Sequence, residues 1–159
     1  MTNAQHLITL ARDKGVMVAT AESCTGGLLA GALTEVAGAS DVFERGFVTY
    51  SNAAKTELLD VAPALIETNG AVSEAVARAM ADGALAQSRA QIALSITGVA
   101  GPGGTAQKPE GMVCFGLAVS ARDTVTVTRQ FGALGRAQVR ASSVDFAITK
   151  MVDALLSLD

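Results

Sequence analysis

The sequence predicts an α/β fold, a three-layer α/β/α domain around a mixed, mostly parallel five-stranded sheet. Three observations point there. Short apolar runs alternate with segments of helical spacing, which is the pattern of parallel strands joined by crossover helices. Two strand-like segments near the C-terminal end are separated only by a polar turn, so an antiparallel strand joins the sheet. Half of the 159 residues are hydrophobic, enough for one continuous core, and residues 1–159 are read as a single domain.

The elements follow in order. Residues 4–14, "AQHLITLARDK", carry apolar positions at helical spacing and stop at Gly15, a C-terminal breaker. Strand one covers 16–20 and runs into "AESCTGG" at 21–27. "GLLAGALTEVAG" (27–38) is a helix of small and apolar residues ended by Gly38. "RGFVTYS" (45–51) is strand two, followed by a helix over 52–61 with Asn52 as its N-cap. Pro63 opens a short turn, and Ser73 caps a helix over 73–88. "QIALSITG" (91–98), apolar throughout, is a central strand. A long loop over 99–111 gathers glycines and prolines around Lys108, and loops of that length tend to carry function. The hairpin strands are 112–120 and 124–131, and the last helix is 135–157.

Composition removes several function classes. The net charge is −3, with no basic face and no array of stacking aromatics, so nucleic acid is not an expected partner. No apolar run approaches the roughly 18 residues a membrane span needs, and the N-terminus has neither a basic leader nor a cleavage signature. No membrane association is expected, and a cytoplasmic location is. Cys24 and Cys114 are too few and too far apart for a disulfide framework and are read as free thiols of a reducing compartment. With His6 the only histidine, neither a zinc site nor a Ser–His–Asp relay is expected, and no metal or cofactor is assigned.

If a hydroxyl is activated here, its base must be a lysine of lowered pKa or a tyrosine beside one. Four lysines are present. Lys14 and Lys150 have ordinary helical surroundings, whereas Lys108 sits in the glycine-rich loop, where anion binding and plain solvent exposure are both open. Lys55 stands one helical turn beyond "TYSN", a strand end dense in hydroxyls. In "AESCTGG", Glu22 is read as a cap on the following helix and Cys24 as a small apolar wall, because no base accompanies the thiol. Gly26 and Gly27 precede a helix, where N–H groups and the helix dipole favour a phosphate; a tight turn is the other reading.

Four strings, "TAESCTGGLLAGALTEVAGAS", "FERGFVTYSNAAKTELLDV", "GAVSEAVARAMADGAL" and "SITGVAGPGGTAQKPEGMV", in this order and spacing, resemble the CinA C-terminal domain family. The resemblance spans about residues 4 to 150. Stand-alone members are nicotinamide-nucleotide amidohydrolases. The resemblance thus implies hydrolysis of the carboxamide of nicotinamide mononucleotide, a small-molecule substrate, to nicotinate mononucleotide and ammonia. It also implies the five-stranded fold and a homodimer. Matched motif by motif, Ser40, Tyr50 and Lys55 correspond to the family's catalytic serine, tyrosine and lysine, with Tyr50 relaying a proton between the other two. Ser23, Thr25 and Thr97 match its pocket hydroxyls, which orient the carboxamide or the lysine. Gly26, Gly27, Gly98, Ala100, Gly101 and Arg136 fall to substrate binding, with Arg140 as a second arginine. The alternative is a nucleotide-binding or regulatory module without turnover, tied to competence or DNA damage.

One expectation conflicts with strand geometry. If strands one and two are parallel, Ser40 lies near the start of strand two and Tyr50 near its end. Five or six extended residues span roughly 17–20 Å. Either segment 39–45 folds back, strand two is differently placed, or a second subunit contributes. Otherwise Ser23 or Ser51 is the better nucleophile.

Overall fold

The computed structural model describes all 159 residues. Helix α1 (Asn3–Lys14) opens with a capping box between Thr2 and Gln5 and closes at Gly15, whose φ of 65° is the left-handed stop. The chain continues through β1 (Val18–Glu22), α2 (Leu28–Thr34), a single 3₁₀ turn (Ala39–Asp41), β2 (Phe43–Val48), α3 (Asn52–Leu59), α4 (Pro63–Asn69) and α5 (Glu74–Ala86). It ends with β3 (Ile92–Gly98), β4 (Met112–Val119), β5 (Val125–Gln130) and α6 (Arg136–Leu156).

The expected mixed five-stranded sheet is present, in the order β2-β1-β3-β4-β5. β1 pairs in parallel with both β2 and β3, and β4 runs antiparallel between β3 and β5. Two clusters of buried side chains cover the two faces. The larger contains Leu7, Leu29, Val144 and Met151, from α1, α2 and α6; the smaller contains Leu59, Ile66, Val76 and Met80, from α3, α4 and α5. No helix is long and apolar enough to cross a membrane.

Three element expectations are corrected. β1 begins and ends two residues later than the apolar run suggests, because Ala21 and Glu22 still pair with Phe47 and Val48 on one side and with Ser95 and Ile96 on the other. The residue that caps α3 is Ser51 rather than Asn52: its hydroxyl accepts from the Ala54 N–H at 3.0 Å. Pro63 starts a true helix, α4, from its first position, where its missing N–H costs nothing. Ser73 caps α5 as expected, through Val76 N–H.

The topology itself selects a place for chemistry. From β1 the chain crosses to β2 on one side, and the next parallel strand, β3, lies on the other. A crevice therefore opens beyond the C-terminal end of β1, at the switch point where open α/β sheets bind ligands. Residue 23 is the first residue past that end.

Candidate active site

Strand alternation points Ser23 to the same face as Ala19 and Ala21, toward α3 and α5, and its N–H extends the ladder to Ile96 O at 2.9 Å. Across the crevice, the Ser51 cap sets the register of α3 so that Lys55 projects under the end of β2. Lys55 is only 1% exposed. Its Nζ donates to Ser23 Oγ at 3.0 Å, to Thr49 O at 3.1 Å and to Tyr50 O at 3.2 Å. The only ion pairs in the molecule, Arg12–Asp13 and Arg45–Glu44, lie elsewhere, so no carboxylate holds the ammonium charged. Burial pushes the Lys55 pKa below the ordinary lysine value, against a smaller opposing effect of Cys24.

The partner set explains how such a lysine would act. A neutral amine has two N–H groups and one lone pair. In that neutral state the carbonyls of Thr49 and Tyr50, which can only accept, would take the two N–H groups and leave the lone pair for the Ser23 hydroxyl, reversing the direction of the Lys55–Ser23 bond. That is the geometry of a general base on a nucleophile. The neighbouring thiol is a poor nucleophile by comparison, since burial raises the Cys24 pKa to about 11 and keeps it protonated near neutrality.

Glu22 holds the turn from beneath. It is 1% exposed and accepts from Thr25 Oγ1 at 2.7 Å, Leu29 N at 2.8 Å and Ala30 N at 3.0 Å. This is the cap read from the sequence, and it revises the anion cradle expected at Gly26 and Gly27. The N–H groups at the start of α2 already face a carboxyl side chain, which would oppose a phosphate there. Gly26 and Gly27, with φ of 57° and 107°, serve the turn instead. Thr25 is fully buried with its hydroxyl committed to Glu22, so it supports the turn rather than lining a pocket.

A cavity of about 220 Å³ opens over Ser23 and Lys55, and Thr97, Gly98, Ala100 and Arg136 all line it. So do Asn52, Ala71 and Val72, which the sequence reading missed. Asn52 stands one turn before Lys55 on the same helix face, a spacing that would have found it. Thr97 donates to Ala71 O at 2.8 Å. Gly101 belongs to the rim, its carbonyl accepting from Arg136 at 2.6 Å. Arg140, one helical turn on, donates to the Cys24 and Thr25 carbonyls at 3.0 and 3.3 Å. A larger, shallow groove of about 520 Å³ between α3 and α4 is edged by Glu57 and Glu67 and contains no nucleophile–base pair.

Two assignments carried by the resemblance are not assembled within the chain. Ser40 is exposed on the 3₁₀ turn that precedes β2, whereas Lys55 meets the segment that follows it. The intervening strand of six residues covers about 20 Å. The Tyr50 phenol does not bridge a serine and Lys55 either. It is 61% exposed at the cavity mouth and accepts from Arg136 at 3.0 Å, while Lys55 uses the Tyr50 carbonyl.

Comparison with known proteins agrees with this architecture. The family model of the CinA C-terminal domain matches residues 1–155. The chain belongs to the CinA C-terminal domain family. Among CinA relatives, it is 50% identical over 138 residues to a nicotinamide-nucleotide amidohydrolase, PncC, of Enterobacter agglomerans, covering 86% of this chain and 84% of that protein. It is 59% identical over 112 residues to a CinA-like protein of Chlorobium phaeobacteroides, covering 70% of this chain but 27% of that relative. The chain thus spans about a quarter of the longer CinA-like proteins it matches. The crystal structure of a competence/damage inducible protein from Agrobacterium tumefaciens superposes with a TM-score of 0.92 at 44% identity, covering 99% of this chain and 98% of that one. A CinA superfamily protein from Klebsiella pneumoniae gives 0.93 at 32% identity, covering 98% and 97%.

Proposed function

We propose that this protein hydrolyses the carboxamide of nicotinamide mononucleotide, with Ser23 as nucleophile and Lys55 as its base. The observation that carries the reading is the buried Lys55 amine 3.0 Å from Ser23 Oγ, with the carbonyls of Thr49 and Tyr50 as its two other partners. The substrate class rests on the amidohydrolase relative, which matches most of both chains.

Lys55 takes the Ser23 proton as Oγ attacks the carboxamide carbon. The resulting ammonium returns a proton to the nitrogen as the C–N bond breaks, releasing ammonia and leaving an ester on Ser23. Water, deprotonated by the regenerated amine, then attacks the ester; nicotinate mononucleotide leaves as Ser23 is reprotonated. The backbone N–H of Cys24, next to the nucleophile and with no backbone carbonyl as its acceptor, is placed to serve the oxyanion. Since no carboxylate pairs with Arg136, its guanidinium at the mouth can turn from Gly101 O and the Tyr50 phenol to the substrate phosphate.

Release of ammonia from nicotinamide mononucleotide by the purified wild type tests the reading directly. Its absence would leave a nucleotide-binding module. Arg136→Ala is expected to raise KM for the nucleotide about 10- to 100-fold, the loss of a charged hydrogen bond, with a much smaller change in kcat. An equal fall in kcat would move Arg136 from phosphate binding to the chemical step.

A further inference from the structure

Lys108, the lysine of the glycine-rich loop, neither faces an anion site nor dangles in solvent. It is half-buried, and its Nζ donates to Asn69 O, at the end of α4, at 2.8 Å and to Val72 O in the turn between α4 and α5. That turn has every carbonyl committed: Gly70 O accepts from Ser73 Oγ at 2.9 Å and Ala71 O from Thr97 Oγ1 at 2.8 Å. Gly70, at φ 79°, makes room for the ammonium, because a Cβ there would stand 3.1 Å from Lys108 Nζ. The two segments so joined both line the cavity over Ser23 and Lys55, Ala71 and Val72 on the turn and Ala100 on the loop. The far side of the loop is tied to the start of α6 through Arg136 on Gly101 O, and Glu110 braces the loop internally by accepting from Gly103 N–H at 2.8 Å.

We infer that Lys108 is a positioning residue whose ammonium clamps the 99–111 loop to the 69–72 turn, so that the cavity is shaped before the substrate arrives. A cation is suited to this place because it also meets the carbonyl end of α4. Without the clamp, the substrate would have to order both walls on binding, a cost that appears in affinity and not in the Ser23–Lys55 chemistry.

The steady-state arm rests on the amidohydrolase reading. In the full chain, Lys108→Met is expected to raise KM for nicotinamide mononucleotide about tenfold while kcat stays within about twofold and the acid limb of its pH profile does not move. An unchanged KM, or a fall in kcat, would overturn the inference. Amide hydrogen exchange on the ligand-free protein supplies a second arm that needs no turnover. In Lys108→Met, amides of residues 70–73 and 100–107 should exchange faster while those of β3 and the middle of α5 keep their protection. Unaltered exchange in both segments would overturn the clamp even if the enzyme is active. A wild type that releases no ammonia would sink the amidohydrolase reading alone, with the exchange result still deciding the clamp.

Discussion

Ser23→Ala is expected to reduce kcat for nicotinamide mononucleotide hydrolysis on the order of 10⁴- to 10⁶-fold, the scale seen when a serine nucleophile is removed. Ser40→Ala, by contrast, should stay within a few-fold of wild type. The contrast follows from position: Ser23 Oγ touches the only buried amine at the crevice, while Ser40 is exposed beyond the other end of β2. Neither change threatens the fold. The Ser23 hydroxyl donates one hydrogen bond, to Tyr50 O at 3.4 Å, and accepts one, from Lys55 Nζ at 3.0 Å, while the Ser23 backbone, which carries the ladder, is unaltered. Parallel kinetics on the two variants checks the assignment. An inactive Ser40→Ala beside an active Ser23→Ala would require a second copy of the chain to bring Ser40 into the site, and would displace Ser23 as nucleophile.

Lys55→Met removes the base and is expected to lower kcat about 10²- to 10⁴-fold, the range for a general base. Its effect on stability has a distinct pH signature. Because burial lowers the Lys55 pKa, the unfolded chain binds more protons than the folded one between the folded midpoint and the ordinary lysine value. Wild-type stability therefore climbs with pH across that window, by about 1.4 kcal/mol for each unit of depression, and is penalised in full below it. The methionine variant removes the Lys55 bond to the Thr49 carbonyl and leaves Tyr50 O only the Ser23 hydroxyl, an offset of about 1–3 kcal/mol for an orphaned carbonyl that does not depend on pH. The slope is thus the diagnostic quantity, and denaturant titrations of both proteins from neutral to alkaline pH should show a rise present only in the wild type. The rate follows the same group: kcat/KM should increase with pH and level off once Lys55 is neutral, at a pH below the usual lysine range.

Much of the fold is legible because each strand and helix carries its own period, and the hairpin over β4 and β5 is separated only by a polar turn. What local pattern hides is where pairing stops. The cap that Glu22 places on α2 is legible, yet its backbone, read as lying past the end of strand one, is still paired in the sheet. The short α4 is masked by Pro63, whose turn-forming reputation conceals its suitability for the first helical position.

At the site, Lys55 is singled out by a single physical consideration, the need for a base in a chain with one histidine, and the resemblance points to the same residue. Motif order brings Ser40 together with Lys55, but the extended length read for strand two already sets them at opposite ends, and β2 keeps them there. Lys108 is ambiguous for a different reason. Its partners are main-chain carbonyls 39 and 36 residues earlier, groups every residue possesses, so no side-chain pattern announces them.

The claim on which the mechanism stands is that the fold keeps the Lys55 amine uncharged beside Ser23 in the working pH range. Titration of the Lys55 side-chain ammonium by heteronuclear NMR, assigned by its loss in Lys55→Met, measures this directly. A midpoint clearly below the ordinary lysine value of about 10.4 is the predicted result. A midpoint at or above that value would show a permanently charged lysine, unable to take a proton from Ser23, and would contradict it.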